Sequence, residues 1–133
     1  IIIDCPPSLN LLTLNALCAA GGVLVPIQCE YYALEGLAGL LETIQSVQQT
    51  VNPQLKIAGL LRTMYDRRNK LANDVSNELV VHFGEQILTT IVPRNVRLAE
   101  APSFGQSIFA FDDSSTGAAA YLALAQELIR RLR

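Results

Sequence analysis

Apolar runs and helical stripes alternate along the chain. Ile1 to Asp4 is a short apolar run broken by Cys5-Pro6-Pro7-Ser8, and Gly22 to Ile27 is a β-branched run closed by Pro26 and Gln28. Short unalternating runs of this kind predict buried strands of a parallel sheet. Between them Leu11, Leu14, Leu17 and Cys18 recur at helical spacing, with Ser8 or Asn10 to cap the start and Gly21-Gly22 to stop the end. The alternation repeats: Leu34, Leu37, Leu41 and Ile44 predict a helix ended by Pro53, and Leu55 to Leu61 predicts a strand. A third helix presents Leu71, Val75, Leu79 and Phe83 on one face and stops at Gly84, and Ile87 to Val92 is the next strand, ended by Pro93. An irregular stretch rich in Pro, Ser, Gly and Asp follows. Tyr121, Leu122, Ala125, Leu128 and Ile129 then mark a final helix that Ser115 or Thr116 caps.

Strands alternating with helices of this length predict an α/β fold: a mostly parallel sheet, right-handed crossovers, and helices on both faces. Ligands of such sheets collect at the carboxyl ends of the strands. The residues after Ile3, Ile27, Leu61 and Val92 are therefore the candidates for chemistry.

Composition narrows the class. Of 133 residues, 50% are apolar and 17% charged, which excludes a disordered segment and suits one domain. No apolar run approaches the roughly 20 residues of a membrane-spanning helix. The formal net charge of −2 confines any nucleic-acid contact to a local patch. Cys5, Cys18 and Cys29 lack the close pairing of a zinc site and lone His82 adds little, so reduced, buried thiols in a cytoplasmic protein are expected, with His82 and Phe83 as partial-core residues. Cys5 has no neighbouring His or Lys to activate it and reads as structural. The absence of an initiator Met and the opening Ile1-Ile2-Ile3 lead to the expectation that the chain is a piece of a longer protein.

A carboxylate at the end of an apolar strand, as at Asp4, suits the half of a nucleotide site that holds Mg²⁺ directly or through water. The alternative is an Asp that opens a turn. The stretches IIIDCPPSLNLLTLNAL at Ile1 to Leu17, VLVPIQCEYYALEGL at Val23 to Leu37 and VPRNVRLAEAPSFGQSI at Val92 to Ile108 together cover nearly the whole chain. In these stretches, and in their order, the chain resembles the ParA/Soj-type chromosome and plasmid partition ATPases of the deviant Walker class.

The resemblance implies a P-loop ATPase fold, with residues 1–133 forming the carboxyl-terminal part of a single domain. It makes Asp4 the Walker B aspartate associated with Mg²⁺, and Cys5, Pro6, Pro7, Ser8 and Leu9 a switch region that responds to the γ-phosphate of ATP and joins an ATP-dependent homodimer. It places Pro93 and Asn95, with Arg94 and Val96, in the loop that cradles adenine, and offers Thr63 and Met64 as a second wall. A rigid proline and backbone amides suit a planar base. Gln28 to Gly36, including Gln28 and Glu30, falls near the dimer interface; the plainer alternative is a loop in which Tyr31 and Tyr32 pack and Glu35 favours a helix start. Gly21 departs from the acidic residue frequent in the family.

Arg68 and Arg97 match positions implicated in DNA binding without sequence preference, and Arg67 lies beside them; the alternative for each is solvated surface charge. The resemblance further implies a centromere-binding ParB-like partner that stimulates hydrolysis, a cytoplasmic, nucleoid-associated location, and no membrane. The chain itself has two lysines, Lys56 and Lys70, and no G-x-x-x-x-G-K-[ST] string. These 133 residues alone are expected to bind ATP poorly and hydrolyse none. Two other readings compete: a degenerate, non-enzymatic dimerisation and DNA-binding module, and a MinD-like membrane ATPase that uses Glu127 to Arg133 as a basic amphipathic anchor. Cations at a helix carboxyl end are favoured by the helix dipole without any membrane.

Overall fold

Three of the four predicted strands form. In the computed structural model, which describes residues 1–6 and 8–132, they are β1 (Gly22–Gln28), β2 (Lys56–Tyr65) and β3 (Ile87–Pro93), all parallel in the order β1-β2-β3. The central strand β2 pairs Gln28 with Thr63 on one side and Tyr65 with Pro93 on the other, so the carboxyl ends of all three strands meet at one edge of the sheet.

The crossover helices α2 (Ala33–Thr50) and α3 (Lys70–Phe83) share a face. Two right-handed crossovers stepping in the same direction require this. Leu37 of α2 and Ala72, Val75 and Leu79 of α3 bury against Val25, Ile27, Leu60 and Ile87. Two short helices, α4 (Val96–Glu100) and α5 (Ile108–Phe111), follow β3, and the opposite face carries α6 (Thr116–Arg131), whose Leu124 packs on Leu61, Leu88 and Val92. Helix α1 (Leu11–Ala19) inserts Leu17 among Ile44, Val47 and Leu55. Asn10 caps its start by accepting from the Thr13 amide, and Asn52 closes its end by donating to the Leu17 and Ala20 carbonyls at 2.9 and 2.8 Å.

Ile1 to Asp4 is not a strand. Ile1 and Ile2 are 122% and 97% exposed. A strand needs a ladder partner, and this run pairs with none: among the described residues the sheet is β1-β2-β3 alone, and the run lies outside it. In the other direction, β2 runs four residues beyond the expected Leu61. Charged Arg62 looks like a strand end but is buried, its guanidinium donating to Ser76 Oγ at 3.0 Å and the Leu88 carbonyl at 2.9 Å.

The assignments on two helices shift. On α3 Leu71 is exposed and the inner face is Ala72, Val75, Ser76 and Leu79; His82 is a surface residue beside Glu78, 3.6 Å away. On α6 Tyr121, Leu122, Ala125 and Ile129 are exposed, and Gly117, Ala118, Leu124 and Glu127 face inward. The cause is polar. Glu127 accepts the Thr89 and Thr90 amides of β3, each at 2.8 Å, while Arg131 donates to the Glu85 and Ile87 carbonyls at 2.8 and 2.9 Å and to Glu127 at 3.2 Å. These two side chains supply β3 with hydrogen bonds a neighbouring strand would otherwise make, a pattern to which hydrophobic periodicity is blind. Burial pushes the Glu127 pKa up, but the bonds from Thr90 and Thr89 and the charge of Arg131 outweigh it, and the net shift is downward. Among the thiols only Cys29 is buried; Cys5 and Cys18 are exposed.

Candidate functional site

At the end of β2, Met64 adopts φ +52°, the left-handed region that costs a side-chain-bearing residue about 1–2 kcal/mol. The turn separates two hollows. Met64 lines a small one of about 110 Å³ with Gln28, Cys29, Glu30, Asp66, Asn69, Ala72 and Arg94. Tyr65 to Arg68 form one wall of a larger cleft of about 640 Å³, closed opposite by Ile91, Pro93, Arg94, Val96 and Thr116.

Both walls are braced. Arg94 N donates to the Tyr65 carbonyl at 3.0 Å, tying the β3 loop to the end of β2. Asn73 accepts the Tyr65 hydroxyl at 2.6 Å and donates to the Arg67 carbonyl at 2.9 Å, while Asn69 caps α3 by accepting from Ala72 N. Asn95 caps α4 (Val96–Glu100) by accepting the Leu98 amide and reaches Thr116 Oγ1 at 2.8 Å. Close packing holds α6 against α4: a Cβ on Gly117 would lie 2.6 Å from Leu98 Cγ.

The electrostatics of the cleft centre on Asp66. The side-chain and backbone hydrogen bonds from Arg68, together with the charges of Arg68 and Arg94, hold its pKa down to about 2, and the same pair raises that of Arg68. Arg67 and Arg94 make no ion pair among the described residues. The cleft thus joins apolar walls to exposed guanidiniums, a combination suited to a planar base bearing phosphates or to a nucleic-acid backbone. Cys29 is inert by comparison: burial raises its pKa against the opposing charge of Arg62.

The sequence of these 133 residues aligns over its whole length with chromosome-partitioning proteins. It is 55% identical to the chromosome-partitioning ATPase Soj of Thermus thermophilus, covering 53% of that protein, and 51% identical to the chromosome partitioning protein ParA of Caulobacter vibrioides, covering 50% of it. The chain belongs to the ParA/Soj family. A family model described as an AAA domain matches residues 1–57 of this ParA/Soj chain. In three dimensions the fold superimposes with a TM-score of 0.75 on a cobyrinic acid a,c-diamide synthase from Mycobacterium smegmatis solved with bound ADP and magnesium; that protein is 39% identical, and the match covers 97% of this chain and 45% of the other. This supports an α/β P-loop ATPase fold. The chain spans about half the length of the curated relatives it matches.

The fold gathers some of the expected site residues of this ParA/Soj chain and separates others. Pro93 and Arg94 line the large cleft, with Arg67 and Arg68 on its opposite wall; Gln28, Glu30 and Met64 line the small hollow. Thr63 lies within β2 and lines neither, and Asn95 is a helix cap that holds the wall. Arg97 is engaged: it pairs with Glu100 at 3.0 Å and Asp112 at 3.3 Å and lies over the Phe111 ring. Asp4, Cys5, Pro6 and Ser8 are exposed in the amino-terminal stretch, outside the sheet and both hollows, and Pro7 lies outside the described residues. Sequence reasoning missed Tyr65, Asp66, Ile91 and Thr116. The signal for the first two was the helix start at Asn69-Lys70, which leaves room for β2 to continue past Arg62.

Proposed function

We propose that the protein to which this chain belongs is an ATP-hydrolysing DNA-partitioning switch. Its MgATP-bound dimer holds DNA without sequence preference and is released under the control of a centromere-binding ParB-like partner, at the nucleoid in the cytoplasm. The carrying observation is the braced cleft at the carboxyl ends of β2 and β3, where Pro93, Arg94 and Val96 face Tyr65 to Arg68. In this reading residues 1–133 are the carboxyl-terminal part of one ATPase domain, and the names of the relatives support it.

The cleft fits the base of ATP: Pro93 and Ile91 offer an apolar wall, Met64 flanks it from the neighbouring hollow, and Asn95 keeps the loop in place. The residues do not by themselves fit Mg²⁺. Among the described residues no group of three potential ligands converges, and Asp4 is a single exposed carboxylate. Asp4 is proposed as the carboxylate associated with the cation once the phosphates and their ligands are in place. When bound, MgATP supplies a phosphoanhydride to cleave and the charge that favours the dimer; this chain's part is to orient the base and present Cys5 to Ser8, Gln28 and Glu30 toward the second protomer.

DNA contact is assigned to the rim, Arg67, Arg68 and Arg94; Arg97 joins it by exchanging Glu100 and Asp112 for phosphate. Duplication of the rim in a dimer multiplies the counterions released. The test is filter binding of the full-length protein to unrelated duplexes with and without ATP. Expected is ATP-dependent binding that weakens steeply with salt and drops at least ~10-fold in Arg67→Ala/Arg94→Ala. Binding indifferent to ATP would favour the non-enzymatic module. The membrane-anchor reading finds less support, because Arg131 is committed to the edge of β3.

A further inference from the structure

Among the described residues Asp66 is the only carboxylate lining the large cleft, which Arg67, Arg68 and Arg94 also line. Its Oδ1 accepts Arg68 Nε at 3.1 Å and its Oδ2 accepts Nη2 at 3.0 Å, the two-point fork that a guanidinium also offers to a phosphate. Its Oδ1 additionally accepts the Arg68 amide at 3.0 Å, forming the turn that ends β2. The Arg68 side chain is 89% exposed, and exposed pairs contribute little to stability. A pair so weakly stabilising is easily exchanged.

We propose that Asp66 is an internal stand-in for phosphate: it occupies the Arg68 fork in the DNA-free protein and is displaced by a backbone phosphodiester, and so sets how tightly the rim holds DNA. The inference rests on the DNA-binding reading above and deepens it. Asp66 is a positioning residue, acting through Arg68. Its charge does two things. It preorganises the guanidinium toward the cleft, and it makes the first phosphate contact an exchange of one anion for another, so Arg68 adds little net affinity. The depressed pKa keeps Asp66 charged throughout the physiological range.

Asparagine at this position retains an oxygen for the Arg68 amide while removing the charge and the fork. The experiment measures fluorescence anisotropy of an unrelated duplex with full-length, ATP-bound protein across a salt series, for the wild type, Asp66→Asn, Arg68→Ala and the double variant. At one charge removed a few ångströms from the contact, Asp66→Asn is expected to tighten binding about three- to ten-fold and to steepen the salt slope by up to about one per chain. In the Arg68→Ala background the gain should shrink below about 1.5-fold, since the carboxylate then has no fork to occupy. Asp66→Ser, which also accepts the amide, must move in the same direction, so a folding defect of one variant does not decide the outcome. Unchanged or weaker binding by both variants, or an equal gain without Arg68, overturns the proposal. Failure of the wild type to bind DNA at any salt overturns the DNA-binding reading itself.

Discussion

The opening run Ile1 to Asp4 and the segment from Arg62 to Tyr65 fold to opposite degrees. Ile1, Ile2 and Ile3 have every local feature of a strand and lie in water; Arg62 has none and lies in the middle of one. The difference is the presence of partners. β2 is flanked on both sides, so its ladder reaches Tyr65 through a buried charge, whereas the opening run pairs with no strand among the described residues. Strand propensity is realised by neighbours.

The sharpest way to break this comparison is to remove a side chain that substitutes for a neighbour. Glu127→Ala strands two β3 amides and Arg131, and should cost about 3–5 kcal/mol in urea unfolding of the 133-residue chain, with Glu127→Gln costing roughly half. A loss under about 1 kcal/mol would mean the polar edge contacts of α6 are incidental. Next in size, replacing Ile1, Ile2 and Ile3 together by Ser should change that chain by less than about 0.5 kcal/mol and the full-length protein by more than about 2 kcal/mol, because there the run is proposed to gain a ladder. Equal, small effects in both would remove the proposed strand.

Acid titration sharpens the same contrast. Glu127 and Asp66 have folded-state pKa values below their unfolded ones, so each contributes stability that is present above the ordinary carboxylate range and lost as pH falls through the folded value; for Asp66 the window runs from 3.8 down to about 2. Thermal midpoints should therefore decline on acidification, mostly through buried Glu127, and the decline should flatten in Glu127→Gln. The smallest effect is at Met64. Glycine there relieves the left-handed backbone at an entropic cost, so Met64→Gly should raise stability by about 0.5 kcal/mol while weakening nucleotide binding by the full-length protein. A loss on both counts would place Met64 in the packing of the strand end alone.

Much of the fold was legible because its three strands and crossover helices carry their own signals: β-branched runs, caps at Asn10 and Ser115, and apolar faces such as Leu37-Ile44. The resemblance singled out Pro93, Arg94 and Val96, and these line the large cleft. What escaped was polar and tertiary. The burial of Arg62 depends on Ser76 and a carbonyl 26 residues away, and the orientation of α6 depends on Glu127 meeting amides that only the folded sheet presents. Asp66 escaped for a related reason: with β2 read as ending at Leu61, nothing placed it at a strand end beside three arginines.

Hydrogen exchange of the full-length protein with and without MgATP tests the central claim most directly, namely that the carboxyl ends of β2 and β3 form the base-binding cleft. The account predicts new protection in segments 64–69 and 94–98 on nucleotide binding. Nucleotide-dependent protection elsewhere that leaves both segments unchanged would contradict it.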